Sequence, residues 1–367
     1  MKKLAKVLLA GLLVAGGCSN SGASATNDTE KETVDAKEVY GCNVINVFSP
    51  GEYIDEDVIP NFEKMYNATV NYDLFDSNEM MYTKLQGGSS YDVLVPSDYM
   101  IERLLQENFL QELDLDSMEN QDGFERQAME LAGSFDPDHS YAVPYFWGSV
   151  GIIYNKNNVD PQEVEEQGWE ILRNTKYKGK IFMYDSQRDA FMIAFKALGY
   201  SMNTENEDEI NKAFEWLKQL DDTMEPSYVT DEVIDAMING EKDIAVVYSG
   251  DAAYIVSENE DMAFSEPYQG TNHWIDAMVM PKDAQCSGLA NAFIDYISSY
   301  DVAYANSVAV GYTSPNKQVM DELSSEDGDF YENNAYLPRE GYDKDEIFHY
   351  SEVLRQELGF LWNKVKN

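Results

Sequence analysis

Histidine, cysteine and basic residues are scarce in this chain of 367 residues, and each scarcity narrows its chemistry. With 3 His and 3 Cys, and with neither a C-x-x-C nor an H-E-x-x-H pattern, the sequence predicts no metal site. The 26 Lys and Arg face 67 Asp and Glu, which gives a net charge of −41. A charge of that sign repels nucleic acid and draws small cations toward any cleft. We therefore expect no nucleic-acid partner.

The apolar run near the N-terminus is too short to span a bilayer, and its surroundings are typical of an export signal. Lysines precede the run at 7–15, and it ends in AGGC at 15–18, which resembles the lipobox of bacterial lipoproteins. The sequence predicts a signal peptide at 1–17, a lipid on Cys18 and a flexible tether at 18–38. We therefore expect an extracytoplasmic protein anchored by lipid at the outer face of the cytoplasmic membrane.

Two further cysteines, Cys42 and Cys286, lie beyond the tether. In an exported protein they can pair, because the compartment permits disulfides. Their spacing does not demand a bond, so the sequence leaves the question open.

Strands and helices alternate through the rest of the chain, which predicts an α/β fold. Apolar runs at 44–48, 69–74 and 91–95 are separated by helical patterns, so we expect a mostly parallel sheet covered on both faces. The stretch YAVPYFWGSVGIIY at 141–154 is long enough to leave one lobe and enter a second. A second α/β series follows, with predicted helices at 162–173, 190–198, 207–220, 231–237, 251–257, 287–299, 301–307 and 345–365.

The predicted strand HWIDAMVMP at 273–281 carries a ring and a carboxylate two residues apart. Because side chains alternate along a strand, Trp274 and Asp276 are expected to face the same way. This pair suits an organic cation, which can lie on the ring and donate to the carboxylate. The alternative is a core tryptophan beside an aspartate at a strand end.

Tyrosines and small polar residues follow the ends of the early strands. Tyr53 comes after the first strand, and Ser97 and Tyr99 come after the third. Ligands of parallel sheets bind beyond the carboxyl ends of the strands, so these side chains are expected at one rim. The alternative is that the tyrosines are ordinary residues at the edge of the core.

Eight segments occur in an order and with gaps that resemble the polyamine-binding proteins, the spermidine/putrescine receptors that feed bacterial ABC importers. The resemblance runs from about residue 44 to the C-terminus. The segments are FSPGEYI (48–54), SNEMMYTKLQ (77–86), YDVLVPSDYM (91–100), YAVPYFWGSVGIIYN (141–155), DSQRDAF (185–191), NGEKDIAVVYSGDA (239–252), HWIDAMVMP (273–281) and VGYTSPN (310–316).

This resemblance implies the two-lobed type II fold of periplasmic binding proteins, each lobe a mostly parallel sheet flanked by helices. The expected N-terminal lobe is 39–150 plus 276–320, and the expected C-terminal lobe is 151–275 plus 321–367. The implied ligand is putrescine, spermidine or both, and it lies in the cleft between the lobes. The implied partner is an ABC permease, which takes up the ligand after hinge closure. No cofactor is implied, and we take the protein as a monomer.

The resemblance also carries over residue by residue. In the first lobe, Tyr53 and Tyr99 match tyrosines that sandwich the aliphatic chain of the ligand, and Ser97 matches a small polar neighbour. Trp274 and Asp276 match the central ring and carboxylate of the family.

Further matches complete the implied cleft. Tyr312 matches another aromatic wall, and Asp189 stands where the family has a Glu that grips a terminal amine. Tyr248 lies where Trp is usual, and Thr230 occupies a position for a small hydroxyl residue. Asp251 matches an Asp of the putrescine-selective branch.

Two departures bear on ligand length. Pro50 stands where many members have a stacking Trp. Ser186 replaces an Asp that helps to hold an amine in the spermidine-preferring branch. Ser186 together with Asp251 is closer to the putrescine pattern, although the ring lost at Pro50 can widen the site.

Other interpretations remain open. The same fold can bind a metal, a sugar or an amino acid, and Asp189 and Asp251 can simply cap the helices that follow them. A third possibility is a secreted hydrolase that uses Asp251 and Asp276 as acid and base. Neither a G-x-S-x-G motif nor a supportive Ser, His and Asp order occurs, so we expect the protein not to be an enzyme.

Overall fold

A computed structural model of the chain describes residues 33–51 and 53–367. The predicted signal peptide, the predicted lipidation site Cys18 and residues 18–32 of the predicted tether lie outside the described residues. The first described helix, α1 (Ala36–Tyr40), overlaps the last three residues of that predicted tether. Asp35 caps this helix by accepting hydrogen bonds from Lys37 N and Glu38 N.

Ten strands form one sheet, whose main path runs β2-β1-β3-β10-β5-β8-β6-β7. The first three strands are parallel, as are β6, β7 and β8, whereas β5 and β10 run antiparallel to their neighbours. The short strands β4 and β9 pair with β10 and β5 off this path. The bounds are β1 Val44–Pro50, β2 Thr69–Phe75, β3 Val93–Leu94, β4 Leu110–Gln111, β5 Ala142–Asn155, β6 Ile181–Tyr184, β7 Ser227–Val229, β8 Ile244–Tyr248, β9 Met262–Ser265 and β10 His273–Pro281.

The long strand β5 joins the two halves of the sheet. Its residues 142–149 pair with β10, and residues 150–155 pair with β8 and β9. Every residue of β5 except Asn155 is buried, which explains why its sequence is apolar throughout rather than alternating. The predicted long strand is therefore confirmed, and so is the two-lobed α/β fold. The predicted lobe boundaries stay a prediction.

Helices pack on the sheet and on one another. For example, α4 and α5 contact β10, α7 contacts β6, and α10 contacts β5 and β8. Beside α1, the helices are α2 Val58–Tyr66, α3 Asn78–Gln86, α4 Asp98–Gln106, α5 Arg126–Gly133, α6 Pro161–Gln167, α7 Gln187–Ala197, α8 Glu207–Met224, α9 Val233–Ile238, α10 Ser249–Glu258, α11 Ser287–Ser298, α12 Tyr300–Val310, α13 Lys317–Leu323 and α14 Glu352–Val365.

Two predicted helices are too long. The helix predicted at 162–173 ends at Gln167, because Gly168 has φ 52° and the chain continues as a 3₁₀ helix, Gly168–Arg173. The helix predicted at 345–365 begins only at Glu352, where Ser351 accepts a hydrogen bond from Leu354 N. The residues before it are bonded to other parts of the fold instead.

Cys42 and Cys286 form a disulfide with their Cα atoms 6.0 Å apart. It joins the segment before β1 to the residue that precedes α11. The question that the sequence left open is thereby answered. None of the helices in residues 33–51 and 53–367 is both long and apolar enough to cross a membrane.

Candidate ligand-binding site

The site is built around β10, which lies between β3 and β5 in the sheet. Trp274 pairs with Gly148 of β5, and Asp276 pairs with Phe146. The register shifts after Asp276, so that Tyr145 is an extra residue in β5. Such bulges re-aim neighbouring side chains and are common beside binding sites.

Asp276 is buried in this cluster and is only partly satisfied. Its Oδ2 accepts a hydrogen bond from the Tyr53 hydroxyl at 2.5 Å. Its Oδ1 is buried and accepts no hydrogen bond from the described residues. Burial raises the pKa of Asp276 to about 6, although the hydrogen bond from Tyr53 and the nearby Ser97 hydroxyl lower it. A buried carboxylate oxygen without a donor is costly, so this atom is suited to receive one from a ligand.

Tyr53 is fixed from several sides. Its ring meets the rings of Tyr145, Phe146 and Tyr312 edge to face, with centroids 5.6, 5.2 and 5.6 Å away. The Tyr145 hydroxyl donates to the Tyr53 carbonyl oxygen at 2.5 Å. Tyr53 therefore presents its hydroxyl to Asp276 from a rigid aromatic setting.

Tyr312 links this group to the next acid. Its ring packs edge to face against Trp274 at 5.2 Å, and its hydroxyl donates to Asp251 Oδ1 at 2.9 Å. Burial raises the pKa of Asp251 to about 7, although the hydrogen bond from Tyr312 lowers it. Asp251 lies in the first turn of α10, whose N-cap residue is Tyr248, so the capping interpretation is wrong for this acid.

The third predicted acid, Asp189, repeats the arrangement. The Tyr248 hydroxyl donates to Asp189 Oδ2 at 2.8 Å, and burial raises the pKa of Asp189. Ser186 caps α7 by accepting a hydrogen bond from Asp189 N at 3.3 Å. Asp189 therefore lies in the first turn of α7 and is not its cap. The predicted Ser186, Asp189 and Tyr248 are brought together.

Each predicted acid is thus paired with the hydroxyl of a predicted tyrosine. Trp274 connects the pairs, because its ring lies 5.2 Å from that of Tyr312 and 6.0 Å from that of Tyr248. Trp274 Nε1 donates to the Ser149 carbonyl oxygen at 3.2 Å, which fixes the ring. Rings and carboxylates alternate along this cluster, as a site for an organic cation requires.

Two glycines make room for these rings. A Cβ atom at Gly148 would lie 2.7 Å from the Trp274 ring, and one at Gly250 would overlap the Tyr312 ring. A side chain at either position would therefore push a wall of the site away. The sequence gives little warning of this role, since it depends on approach between distant elements.

Ser97 lies beside the cluster, and Tyr99 and Thr230 lie outside it. Ser97 forms an antiparallel bridge with Asp276, and its hydroxyl accepts a hydrogen bond from Asn78. The guanidinium of Arg188 lies 3.3 Å from the centroid of the Tyr99 ring and covers that face. Thr230 is exposed, and its hydroxyl donates to Glu232 at 2.7 Å.

Residues absent from the prediction also join the cluster. Phe146 packs on Tyr53 and Tyr312, and Tyr184 packs on Tyr248 with ring centroids 5.0 Å apart. Tyr184 ends β6, so its position at the carboxyl end of a strand is a signal that could have identified it. Phe146 lies within a uniformly apolar strand, where no such signal exists.

Comparisons with known proteins show what the whole chain is similar to. The bacterial extracellular solute-binding protein family matches residues 57–338. The spermidine/putrescine-binding periplasmic protein of Salmonella typhimurium is 29% identical over 328 residues, or 89% of this chain and 88% of the relative. The putrescine-binding periplasmic protein PotF of Escherichia coli is 28% identical over 299 residues, 77% of this chain and 80% of the relative.

The fold of the chain is also similar to that of solved structures. The crystal structure of the spermidine/putrescine ABC transporter substrate-binding protein PotD from Streptococcus pneumoniae superimposes with a TM-score of 0.75. It is 31% identical, and the match covers 88% of this chain and 98% of that chain. That structure contains calcium and HEPES.

Proposed function

The chain belongs to the bacterial extracellular solute-binding protein family, and from this premise we propose that it is an extracytoplasmic polyamine receptor of an ABC importer. Putrescine is the favoured ligand and spermidine the second. The proposal is supported by the names of the relatives and by the alternation of rings and acids around Trp274.

The proposal that the ligand is a cation rests on one observation. Asp276 Oδ1 is buried among aromatic rings and receives no hydrogen bond from the described residues. An alkylammonium group can donate to that oxygen while its carbon chain lies against Trp274 and Tyr53. The hydroxyl of Tyr53 already donates to Oδ2, so Oδ1 is the oxygen left to accept a hydrogen bond from the ammonium group.

The expected binding energy follows from the parts of the ligand. Each methylene buried against a ring contributes ~0.8 kcal/mol, and each cation–π contact adds ~0.5–2 kcal/mol. A charge-assisted hydrogen bond contributes ~1.5–3 kcal/mol net. A diamine with two such bonds and four methylenes reaches the roughly 8 kcal/mol of micromolar binding.

Delivery rests on closure of the two lobes. Tyr312 and Asp251 belong to different predicted lobes, and the same holds for Asp276 and Asp189. A ligand that contacts acids from both lobes stabilises the closed form over the open form, and a permease can recognise that form. In this proposal the protein catalyses no reaction, and a lipid on Cys18 holds it at the membrane.

Calorimetric titration with putrescine, spermidine and 1,4-butanediol tests the proposal. The diol has the length of putrescine but no charge, so we expect micromolar or tighter binding of the amines and no heat from the diol. Asp276→Asn should weaken amine binding by about 100-fold or more, the ~3 kcal/mol of a charge-assisted bond.

Asp283→Asn is the matched control, because Asp283 is an exposed acid just beyond the end of β10. It should bind putrescine like the wild type. Binding of the diol, or equal affinity in Asp276→Asn and Asp283→Asn, would contradict the proposal. Heat from a sugar or an amino acid instead would favour another ligand for the same fold.

A further inference from the structure

Arg188, the second residue of α7, lies beside the candidate site and contacts the other predicted lobe. Its guanidinium carbon lies 3.3 Å from the centroid of the Tyr99 ring, and its Nη2 donates to Glu79 Oε1 at 3.2 Å. Tyr99 belongs to α4 and Glu79 to α3, both in the first predicted lobe, whereas α7 lies in the second. The side chain of Arg188 therefore connects the two predicted lobes.

The stacking of Arg188 on Tyr99 is the main part of this connection. The Arg188 side chain is 20% exposed and Tyr99 is 8% exposed, and the Phe348 ring centroid lies 5.4 Å from the guanidinium carbon. A cation–π contact is stronger where water is excluded. Glu79 is 38% exposed, and exposed ion pairs contribute little, so its bond to Arg188 chiefly orients the guanidinium.

The segment before α14 meets the same face of α4. Glu102 Oε2 accepts a hydrogen bond from Tyr350 N at 2.8 Å and lies 3.3 Å from His349 Nδ1. The guanidinium carbon of Arg103 lies 5.0 Å from the centroid of the Tyr350 ring. Because Tyr99, Glu102 and Arg103 are three and four positions apart, they share one face of α4. This face is turned toward the second predicted lobe.

Positive charge is concentrated between these elements. Basic residues are scarce in a chain whose net charge is −41, so parts of the protein repel each other when they approach. Arg103, Arg188 and Arg355 nevertheless line the same cavity between α4, α7 and α14. Their charges oppose the repulsion at the place where the predicted lobes meet.

We propose that Arg188 is a positioning residue that stabilises the closed form of the protein through a latch formed by Arg188, Tyr99 and Glu79. The latch forms when the lobes come together, with or without a ligand, and it breaks when they separate. This inference rests on the proposed function, because the latch supports closure around the ligand. It also fixes the first turn of α7, from which Asp189 reaches the site.

Arg188→Met tests the latch, because it keeps an unbranched apolar side chain and removes the charge. A cation–π contact of this kind favours the closed form about tenfold, or ~1.4 kcal/mol. Part of the ligand-free wild type is then already closed, so the loss of putrescine affinity in calorimetry should be smaller, about fivefold.

Small-angle X-ray scattering without ligand measures closure directly. Arg188→Met should have a larger radius of gyration than the wild type, and saturating putrescine should bring both proteins to the same value. A substitution that only destabilised the fold would leave the radius of the folded protein unchanged. If no amine binds to either protein, the proposed function fails, whereas equal ligand-free radii would overturn the latch.

Arg173→Met is the matched control. The guanidinium carbon of Arg173 lies 5.2 Å from the Trp216 ring centroid, and its Nη1 donates to Glu170 at 3.5 Å. All three residues lie within the second predicted lobe, so this variant should keep the wild-type radius and affinity. An increase in radius equal to that of Arg188→Met would overturn the inference.

Tyr99→Leu shows whether Arg188 acts through Tyr99 or through the fold of α7. Without ligand, this variant should be about as open as Arg188→Met, because each substitution removes the same stacking contact. The double variant should be no more open than either single variant. Additive increases in the radius would mean that Arg188 and Tyr99 act separately, and would overturn the latch.

Discussion

Tyr312 contacts two other aromatic rings and one acid of the candidate site. Its ring meets those of Tyr53 and Trp274, and its hydroxyl donates to Asp251. These contacts hold the ring at one angle, and the ring lies directly against the Gly250 backbone. The shape of the site thus depends on a residue that bears no side chain.

Gly250→Ala tests this dependence. The added Cβ would overlap the Tyr312 ring, so the ring must move and both its wall contact and its bond to Asp251 are lost. We expect amine affinity to fall at least about tenfold, or ~1.4 kcal/mol, in calorimetry.

Gly133→Ala controls for the change from glycine to alanine within a helix. Its Cβ would meet the His139 ring at 3.4 Å, an ordinary contact in α5. This variant should bind putrescine normally. Normal binding by Gly250→Ala as well would mean that the Tyr312 ring does not shape the site.

Ser186→Asp should change ligand length preference. Ser186 caps α7, and Asp caps helices equally well, so the fold should be kept. The new carboxylate would lie beside Asp189 and add a partner for a further ammonium group. We expect the ratio of spermidine to putrescine affinity to rise about tenfold in paired titrations.

Ser186→Asn supplies the neutral counterpart of that variant. Asn also caps a helix but carries no charge, so the affinity ratio should stay at the wild-type value. An equal ratio in the Asp and Asn variants would mean that ligand length is read elsewhere in the site.

Residue identities in the site could be predicted, but their pairing could not. The family resemblance implied Tyr53 and Tyr312 as aromatic walls, Tyr248 in place of a usual Trp and Asp276 as the central carboxylate, and the described structure brings these residues together. The hydroxyl-to-carboxylate bonds join residues far apart in the chain, so no local pattern encodes them. Asp98 also follows the third strand, at the rim where ligands were expected, but its bond to Ile275 N could not be predicted because the two residues are 177 positions apart.

At the scale of elements, the segment before α14 is the clearest departure from the sequence pattern. Residues 345–351 were predicted as helix, but Glu346 bonds to Lys196, Ser201 and Met202 N of the α7 region. The backbone of Glu346 also accepts from His273 N at the start of β10. Tertiary bonds outweigh helix propensity in this segment.

Glu346→Gln measures the strength of this attachment. Lys196 is 4% exposed and donates to Glu346 Oε2 at 2.5 Å, so the substitution leaves a buried ammonium group without its acid. We expect a loss of about 3 kcal/mol in the free energy of unfolding, measured by urea denaturation.

A double variant shows whether the buried charge causes the loss. Lys196→Met combined with Glu346→Gln removes the charge as well as the acid, and should recover most of the stability. Glu326→Gln, at an exposed acid, should leave stability unchanged. If the double variant is no more stable than Glu346→Gln alone, the cost does not come from an unpaired ammonium group.

Strands and helices could be predicted where burial is uniform. The predictions failed where long-range contacts decide the conformation. The apolar run of β5 was recognised because both faces of the strand are covered. The short strands β7 and β9 were not predicted, since each has few residues and pairs with a strand distant in sequence. Gly168 ended a predicted helix through its positive φ, which spacing alone does not reveal.

At the scale of the whole molecule, the site concentrates acids in a protein whose net charge is already −41. The negative net charge attracts cations toward the protein, but it does not position them in the site. Burial of Asp98, Asp251 and Asp276 raises the pKa of each, to about 8, about 7 and about 6. The empty protein is therefore expected to hold protons that a polyamine displaces.

This arrangement predicts how stability depends on pH. Each of these acids has a folded-state pKa above its ordinary 3.8, so the folded protein binds more protons than the unfolded chain between about pH 4 and 8. The ligand-free protein should therefore lose stability as pH rises through this range. We expect the melting temperature to fall by about 10 °C between pH 5 and 8.5.

Salt and ligand separate the buried acids from the surface charge. Scans in ~0.5 M NaCl screen repulsion between exposed carboxylates but leave buried groups largely unscreened, so the fall should persist. Saturating putrescine should stabilise the protein more at pH 8.5 than at pH 5, because the cation favours the ionised acids. The uncharged 1,4-butanediol should not stabilise the protein at either pH. A melting temperature that rises with pH at high salt would mean that the site acids are ionised in the empty protein, and that a polyamine meets fixed charges rather than displacing protons.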